Sequence, residues 1–140
     1  MRFLYCAACI CYMLQDWDGM NTESAVEYVT NSFSYEGAVG QGPGLEAHGG
    51  PTYLAVASLE LMDRLHDLGE DRRQRLVHWC LMRQGHKSGF MGRPNKPEDT
   101  CYTFWVGATL SILGKLDLTS AGDIINFVLS TQDAVTGRDY

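Results

Sequence analysis

Two kinds of helical pattern alternate along the chain. Over residues 22–33, 71–84 and 120–131 apolar positions recur at helical spacing: Ala25, Val26, Val29 and Phe33; Leu76, Val77, Trp79 and Cys80; Ile124, Ile125, Phe127 and Val128. Glu23, Glu27, Arg72, Arg75 and Asp123 take other positions around the same helices. One apolar stripe beside one polar face predicts helices on the outside of a domain. Residues 2–15, 51–65 and 100–114 are instead apolar nearly all round, which predicts inner helices buried on both sides. β-branched residues are scattered and no stretch alternates with period two for long, so strands are not expected.

The alternation is a repeat. At a shift of 48, Tyr5, Ala7, Cys9, Cys11, Met13 and Leu14 fall on Tyr53, Ala55, Ala57, Leu59, Leu61 and Met62. At a shift of 51, Pro43, Thr52, Ala57 and Leu59 fall on Pro94, Thr103, Ala108 and Leu110, and His48 falls on Asp99 (99 − 48 = 51). Each unit reads as an outer helix, a Gly-rich turn and an inner helix. Stacked units of this kind give an all-α array of helical hairpins that curves toward a toroid.

Composition narrows what such an array can do. The chain has 140 residues, 45% hydrophobic and 20% charged, enough for one domain (residues 1–140) with its own core. Its formal net charge of −6 excludes a sequence-independent nucleic-acid footprint, which needs clustered Lys and Arg. Five cysteines, three of them in one apolar stretch (Cys6, Cys9, Cys11), fit a reduced, cytoplasmic compartment better than a disulfide framework. The opening "MRFLYCAACICYMLQDW" imitates a secretory leader. Its recurrence at residues 53–62 marks it as a core helix instead. No apolar run reaches the ~18 residues that a membrane span needs.

Gly, Pro and charge collect in the turns before the inner helices, "YEGAVGQGPGLEAHGG" and "GHKSGFMGRPNKPED". In a hairpin array these turns meet at one end. Helix N-termini there offer free N–H groups and a favourable dipole to an anion. Arg93, Lys96 and His48 add donors suited to a phosphate or diphosphate, with an apolar funnel for a hydrocarbon tail behind them. The stretch "GRPNKPEDTCYTFW" also sets Asp99 two residues before Cys101. Taken singly, Asp99 reads as an N-cap, Cys101 as a small core residue and Tyr102 and Trp105 as core aromatics. His66, His78 and His86 lie on polar or helical surface segments and are assigned no role.

Together the strings "GRPNKPEDTCYTFWVGATL", "LEAHGG", "MRFLYCA" and "STQD" resemble the β subunits of the protein prenyltransferases, with wording most like the geranylgeranyltransferase type I branch. The resemblance runs through residues 2–133. It implies an α-α toroid that works with a separate α subunit, transferring a geranylgeranyl group from geranylgeranyl diphosphate to the cysteine of a C-terminal CaaX protein. Farnesyltransferase and Rab geranylgeranyltransferase β subunits share the Asp-x-Cys-Tyr core and are the alternatives within the family. Carried over by position, Asp99 and Cys101 match zinc (Zn2+) ligands, and His48, Arg93, Lys96 and Tyr102 match contacts to the isoprenoid diphosphate. Trp105, Tyr5 and Gly50 match the isoprenoid wall. Arg2 matches an arginine near lipid and peptide. Asp99, Cys101 and Tyr102 are thus the expected catalytic set.

The family's third zinc ligand is a histidine in a later helix, which this sequence does not contain. After "STQD" the family continues into a Gly-Gly-Phe turn, whereas this chain reads Ala134 to Tyr140. The expectation is a fragment forming roughly half of a toroid, inactive alone. A non-catalytic helical-repeat binding module is the reading from a different class.

Overall fold

The computed structural model describes residues 1–86 and 89–133. Six α-helices follow one another: α1 (Arg2–Leu14), α2 (Thr22–Asn31), α3 (Gly49–Leu61), α4 (Gly69–Leu81), α5 (Thr100–Ile112) and α6 (Ala121–Thr131), with short 3-10 turns at Leu65–Leu68 and Leu116–Leu118. The described residues contain isolated bridges between loop positions and no named strand. No helix among them is long and apolar enough to cross a membrane.

Helix α3 lies at the centre, packed against α1 on one side and α5 on the other. Ala55, Val56 and Leu59 of α3 are buried with Val29 of α2, Leu76, Trp79 and Cys80 of α4 and Val106 and Leu110 of α5. A fully buried Val or Leu side chain contributes about 1.5–3 kcal/mol, so this shared core holds inner to outer helices. The inner position of α3 agrees with its all-round apolar pattern, whereas α5 buries Val106 and Leu110 but leaves Phe104 54% exposed. Helix α1 differs from the doubly buried expectation: Phe3 is 88% exposed and Met13 73%, with Ala8 its buried residue. Among the described residues its main helical neighbour is α3.

Several backbone bonds of the repeat recur at a shift of 51. The bridge Phe33–Val39 returns as Gln84–Phe90. Gly40 N donates to Ser32 O at 3.0 Å, and Met91 N to Arg83 O at 2.8 Å. His48 N donates to Val39 O and Asp99 N to Phe90 O, each at 3.1 Å. Each inner helix ends in the left-handed region, at Gln15 (φ 54°), Asp63 (φ 57°) and Gly114 (φ 67°). Thr52 pins the first turn to its helix, since its Oγ1 accepts from Val39 N at 3.1 Å and donates to Val39 O at 3.2 Å. The turns preceding α3 and α5 are thereby held against the starts of those helices, where the candidate site lies.

Candidate functional site

His48 and Asp99 are the N-caps of α3 and α5. His48 Nδ1 accepts from Gly50 N at 3.2 Å and Asp99 Oδ1 from Cys101 N at 2.9 Å. An N-cap satisfies one of the otherwise unpaired first-turn amides. The plain reading of Asp99 as a cap is therefore correct as far as it goes, and the same bond fixes where its carboxylate points.

The two turns are stitched together by Gly49 N donating to Gly92 O at 2.8 Å. Tyr102 crosses between them, with its hydroxyl 3.3 Å from His48 Nε2 and its ring 5.6 Å from the imidazole, edge to face. Since His48 Nδ1 accepts a hydrogen bond, the neutral ring carries its proton on Nε2, which donates to the Tyr102 oxygen. A Cβ on Gly92 would lie 2.2 Å from Tyr102 Cζ, and one on Gly49 3.3 Å from Tyr102 Cδ1. Both glycines make room for this ring.

Arg2, Gln41, His48, Gly50, Pro51, Leu54, Tyr102 and Trp105 line a cavity of about 430 Å³. Five of these residues, Arg2, His48, Gly50, Tyr102 and Trp105, are ones that the sequence singles out. Polar groups and an apolar wall share this one space. Trp105 continues into an aromatic row: its ring lies 5.4 Å from Tyr53, which lies 4.9 Å from Phe104 and 5.8 Å from Tyr5. Tyr5 thus reaches the cavity wall through Tyr53 rather than directly, and its hydroxyl stands 3.4 Å from that of Tyr53. Tyr5, Tyr53 and Phe104 are the same position in three successive repeats.

Burial, with the Arg93 charge beside it, holds the His48 imidazole below its ordinary pKa, against a smaller opposing pull from Glu46. Burial followed by the negative charge of Cys101 and Asp99 raises the Tyr102 phenol. Arg93 lies within electrostatic range of both rings, and its Nη1 donates to Glu46 Oε2. Lys96 is placed elsewhere. The chain turns at Asn95 (φ 60°), and Lys96 lines a separate cavity with Pro97 and with Phe127, Ser130 and Thr131 of α6. In this conformation neither Lys96 nor Arg93 lines the His48 cavity, Arg93 standing only within electrostatic range of it, which departs from the expected single cluster of donors.

Cys101 is exposed, and its backbone N–H donates to Asp99 Oδ1 at 2.9 Å. Partial desolvation of the sulfur, then the nearby Asp99 carboxylate, push the thiol pKa to about 12, while the proximity of the Cys101 thiol and backbone N–H lowers that of Asp99. Carboxylate and thiol suit zinc, and the cap bond already orients the carboxylate. The pair supplies two ligands. Among the described residues no group of three His, Cys, Asp or Glu side chains could hold a metal ion, so the donor set fits in part.

Sequence reasoning missed Gln41, Pro51 and Leu54 in the cavity wall, the space-making role of Gly49 and Gly92, and Glu46. Glu46 lies within the "LEAHGG" string, but a lone loop carboxylate gives no signal of its own.

Comparison with known proteins bears on both fold and site. The geranylgeranyl transferase type-1 subunit beta of Arabidopsis thaliana is 46% identical over 98% of this chain, and that of Dictyostelium discoideum 44% identical over 98%. The chain spans 39% and 38% of their respective lengths. The protein farnesyltransferase subunit beta of Arabidopsis thaliana is 37% identical over 89% of the chain. A solved structure, Candida albicans protein geranylgeranyltransferase-I complexed with GGPP, superposes with a TM-score of 0.86 at 23% identity, over 99% of this chain and 42% of that one. That likeness establishes the α-α toroid architecture. The family model for the prenyltransferase alpha-alpha toroid domain matches residues 1–138, and the chain belongs to that family.

Proposed function

We propose that the chain is the β-subunit portion of a protein geranylgeranyltransferase type I, which moves a geranylgeranyl group from geranylgeranyl diphosphate to the cysteine of a C-terminal CaaX protein and is paired with a prenyltransferase α subunit. The observation that carries this reading is the cavity in which Arg2, His48 and Tyr102 share a lining with Leu54 and Trp105. An anionic head with an apolar tail is the ligand that satisfies both kinds of wall. The similarity to the Arabidopsis and Dictyostelium geranylgeranyl transferase type-1 β subunits supports geranylgeranyl as the group and type I as the branch.

The Tyr102 hydroxyl, whose oxygen accepts from His48 Nε2–H, acts with Arg2 and Arg93 as a donor to the diphosphate, and His48 donates to it directly only by exchanging its bond to Tyr102. Negative charge grows on the diphosphate as it departs, and donors already fixed in place stabilise that state more than the ground state. Tyr102 is fixed by Gly49, Gly92 and His48, while His48 is fixed by its own cap bond. Lys96 joins them only by swinging out of its cavity beside α6. The row Trp105, Tyr53 and Tyr5 extends the apolar wall for the isoprenoid. Asp99 and Cys101 are the zinc ligands in this reading, and zinc when bound would favour the thiolate form of the acceptor cysteine.

A second reading, a helical-repeat module that binds prenyl diphosphate without chemistry, is favoured by the incomplete donor set among the described residues. The test is transfer to a CaaX peptide by the protein reconstituted with a prenyltransferase α subunit, with geranylgeranyl and farnesyl diphosphate offered in parallel. Transfer of the geranylgeranyl group, lost in His48→Ala, supports the first reading. Binding of the lipid without transfer supports the second, and failure to bind either lipid removes both.

A further inference from the structure

The guanidinium of Arg93 is held by a residue from the preceding repeat: Nη1 donates to Glu46 Oε2, 47 residues earlier. Several backbone bonds that build the repeat recur at a shift of 51, and this one does not. Position 97, where Glu46 would recur, is Pro, and position 42, where Arg93 would have its counterpart, is Gly. The pair is therefore a feature of this one junction between repeats rather than of the array.

We propose that Glu46 is a positioning residue for Arg93, holding its guanidinium outside the cavity lining but within electrostatic range of His48 and Tyr102, in the orientation that receives an anion. The role rests on the reading of that cavity as a diphosphate site. Glu46 sits two residues before the cap His48, on a turn anchored by buried Ala47 and by His48 N to Val39 O at 3.1 Å. Its backbone is therefore fixed relative to the cavity. The side chains of Arg93 and Glu46 are 38% and 53% exposed, so the pair adds little to stability. Its effect is to narrow the rotamers of a long, otherwise mobile arginine. A guanidinium carries five N–H donors, and one spent on Glu46 leaves the rest for a ligand. The carboxylate also repels an incoming anion, which would stand within a Debye length of it, and Glu46→Gln removes that repulsion while keeping the hydrogen bond.

Titration of the full chain with geranylgeranyl diphosphate separates the possibilities, using Glu46→Ala, Glu46→Gln, Arg93→Ala and the Glu46→Ala/Arg93→Ala double variant. Circular dichroism confirms that each variant is folded. Positioning predicts that Glu46→Ala weakens binding by about two- to fivefold, the range for an exposed ion pair. Glu46→Gln binds at least as well as the unaltered protein, because its amide oxygen still accepts from Nη1. The double variant binds no more weakly than Arg93→Ala. Unchanged or tighter binding in Glu46→Ala, beside weakened binding in Arg93→Ala, overturns the positioning role alone. So does a Glu46→Ala loss that persists without Arg93. If Arg93→Ala binds as the unaltered protein does, the diphosphate reading of Arg93 fails, and the role of Glu46 with it.

Discussion

The Tyr102 hydroxyl stands 3.3 Å from His48 Nε2, although 54 residues separate the two. Each belongs to the first turn or cap of a different inner helix, so this contact joins the anion-favouring ends of α3 and α5. It also ties the protonation of His48 to the helix it caps. A proton on Nδ1 removes the acceptor for Gly50 N, and the cap is lost.

The pH dependence of stability follows from that link. Burial and the Arg93 charge place the folded pKa of His48 below its ordinary value of 6.5. Between the folded value and 6.5 the unfolded chain binds more protons, so the contribution of His48 is whole above about pH 6.5 and declines as pH falls through that window. Below the folded value there is no further loss from this group. His48→Asn keeps a good N-cap without titrating. Urea midpoints measured from pH 5 to 7.5 should show a shallower acid slope in His48→Asn than in the unaltered protein. Equal slopes would assign the effect to other groups.

Gly92 is expected to be intolerant of a methyl group for the sake of the site more than of the fold. The added Cβ would meet the far end of the Tyr102 ring, which can swing away only by leaving His48. Gly92→Ala should cost about 1–3 kcal/mol of stability, as overpacking does, and should weaken geranylgeranyl diphosphate binding as much as Tyr102→Phe or more. Titration calorimetry on both variants decides it. Unchanged lipid affinity in Gly92→Ala would show that the Tyr102 position is not needed.

A repeat-guided substitution should stabilise the protein. Asp63 ends α3 at φ 57°, where the next repeat has Gly114 at φ 67°. Glycine enters this region without the steric cost that a Cβ imposes. Asp63→Gly should therefore raise stability by up to about 1 kcal/mol, less the entropy gained by the unfolded chain. Thermal unfolding gives the sign, and a lowered midpoint would mean that the Asp63 side chain makes a contribution larger than its strain.

Metal and lipid should uncouple within the stretch "RPNKPEDTCY". Cys101→Ala is expected to lower zinc content after loading while geranylgeranyl diphosphate still binds, because in this reading the Cys101 thiol serves the metal and not the anion. Arg93→Ala should leave zinc content unchanged and weaken lipid binding by about 1.5–3 kcal/mol, the range for a hydrogen bond to a charged group. Metal analysis and lipid titration on the same samples are the measurements. Parallel loss of both in each variant, with a fall in helical signal, would make these residues structural.

Helix number, order and inner or outer position were legible in the sequence, because periodicity reports how many sides of a helix are covered and the shifts of 48 and 51 fix equivalent residues without any structure. The cavity members Arg2, His48, Gly50, Tyr102 and Trp105 were legible through the family resemblance of their strings. Tertiary structure alone decided what lies between repeats. The side chain of Arg93 depends on a carboxylate 47 residues away, and the Tyr102 ring on the absence of a Cβ at Gly92. Asn95 turns Lys96 toward α6. The exposure of α1 was likewise beyond the pattern, since an all-round apolar helix states what its surface favours and not what stands beside it. Periodicity is a property of one helix at a time, whereas these features arise from packing one repeat on the next.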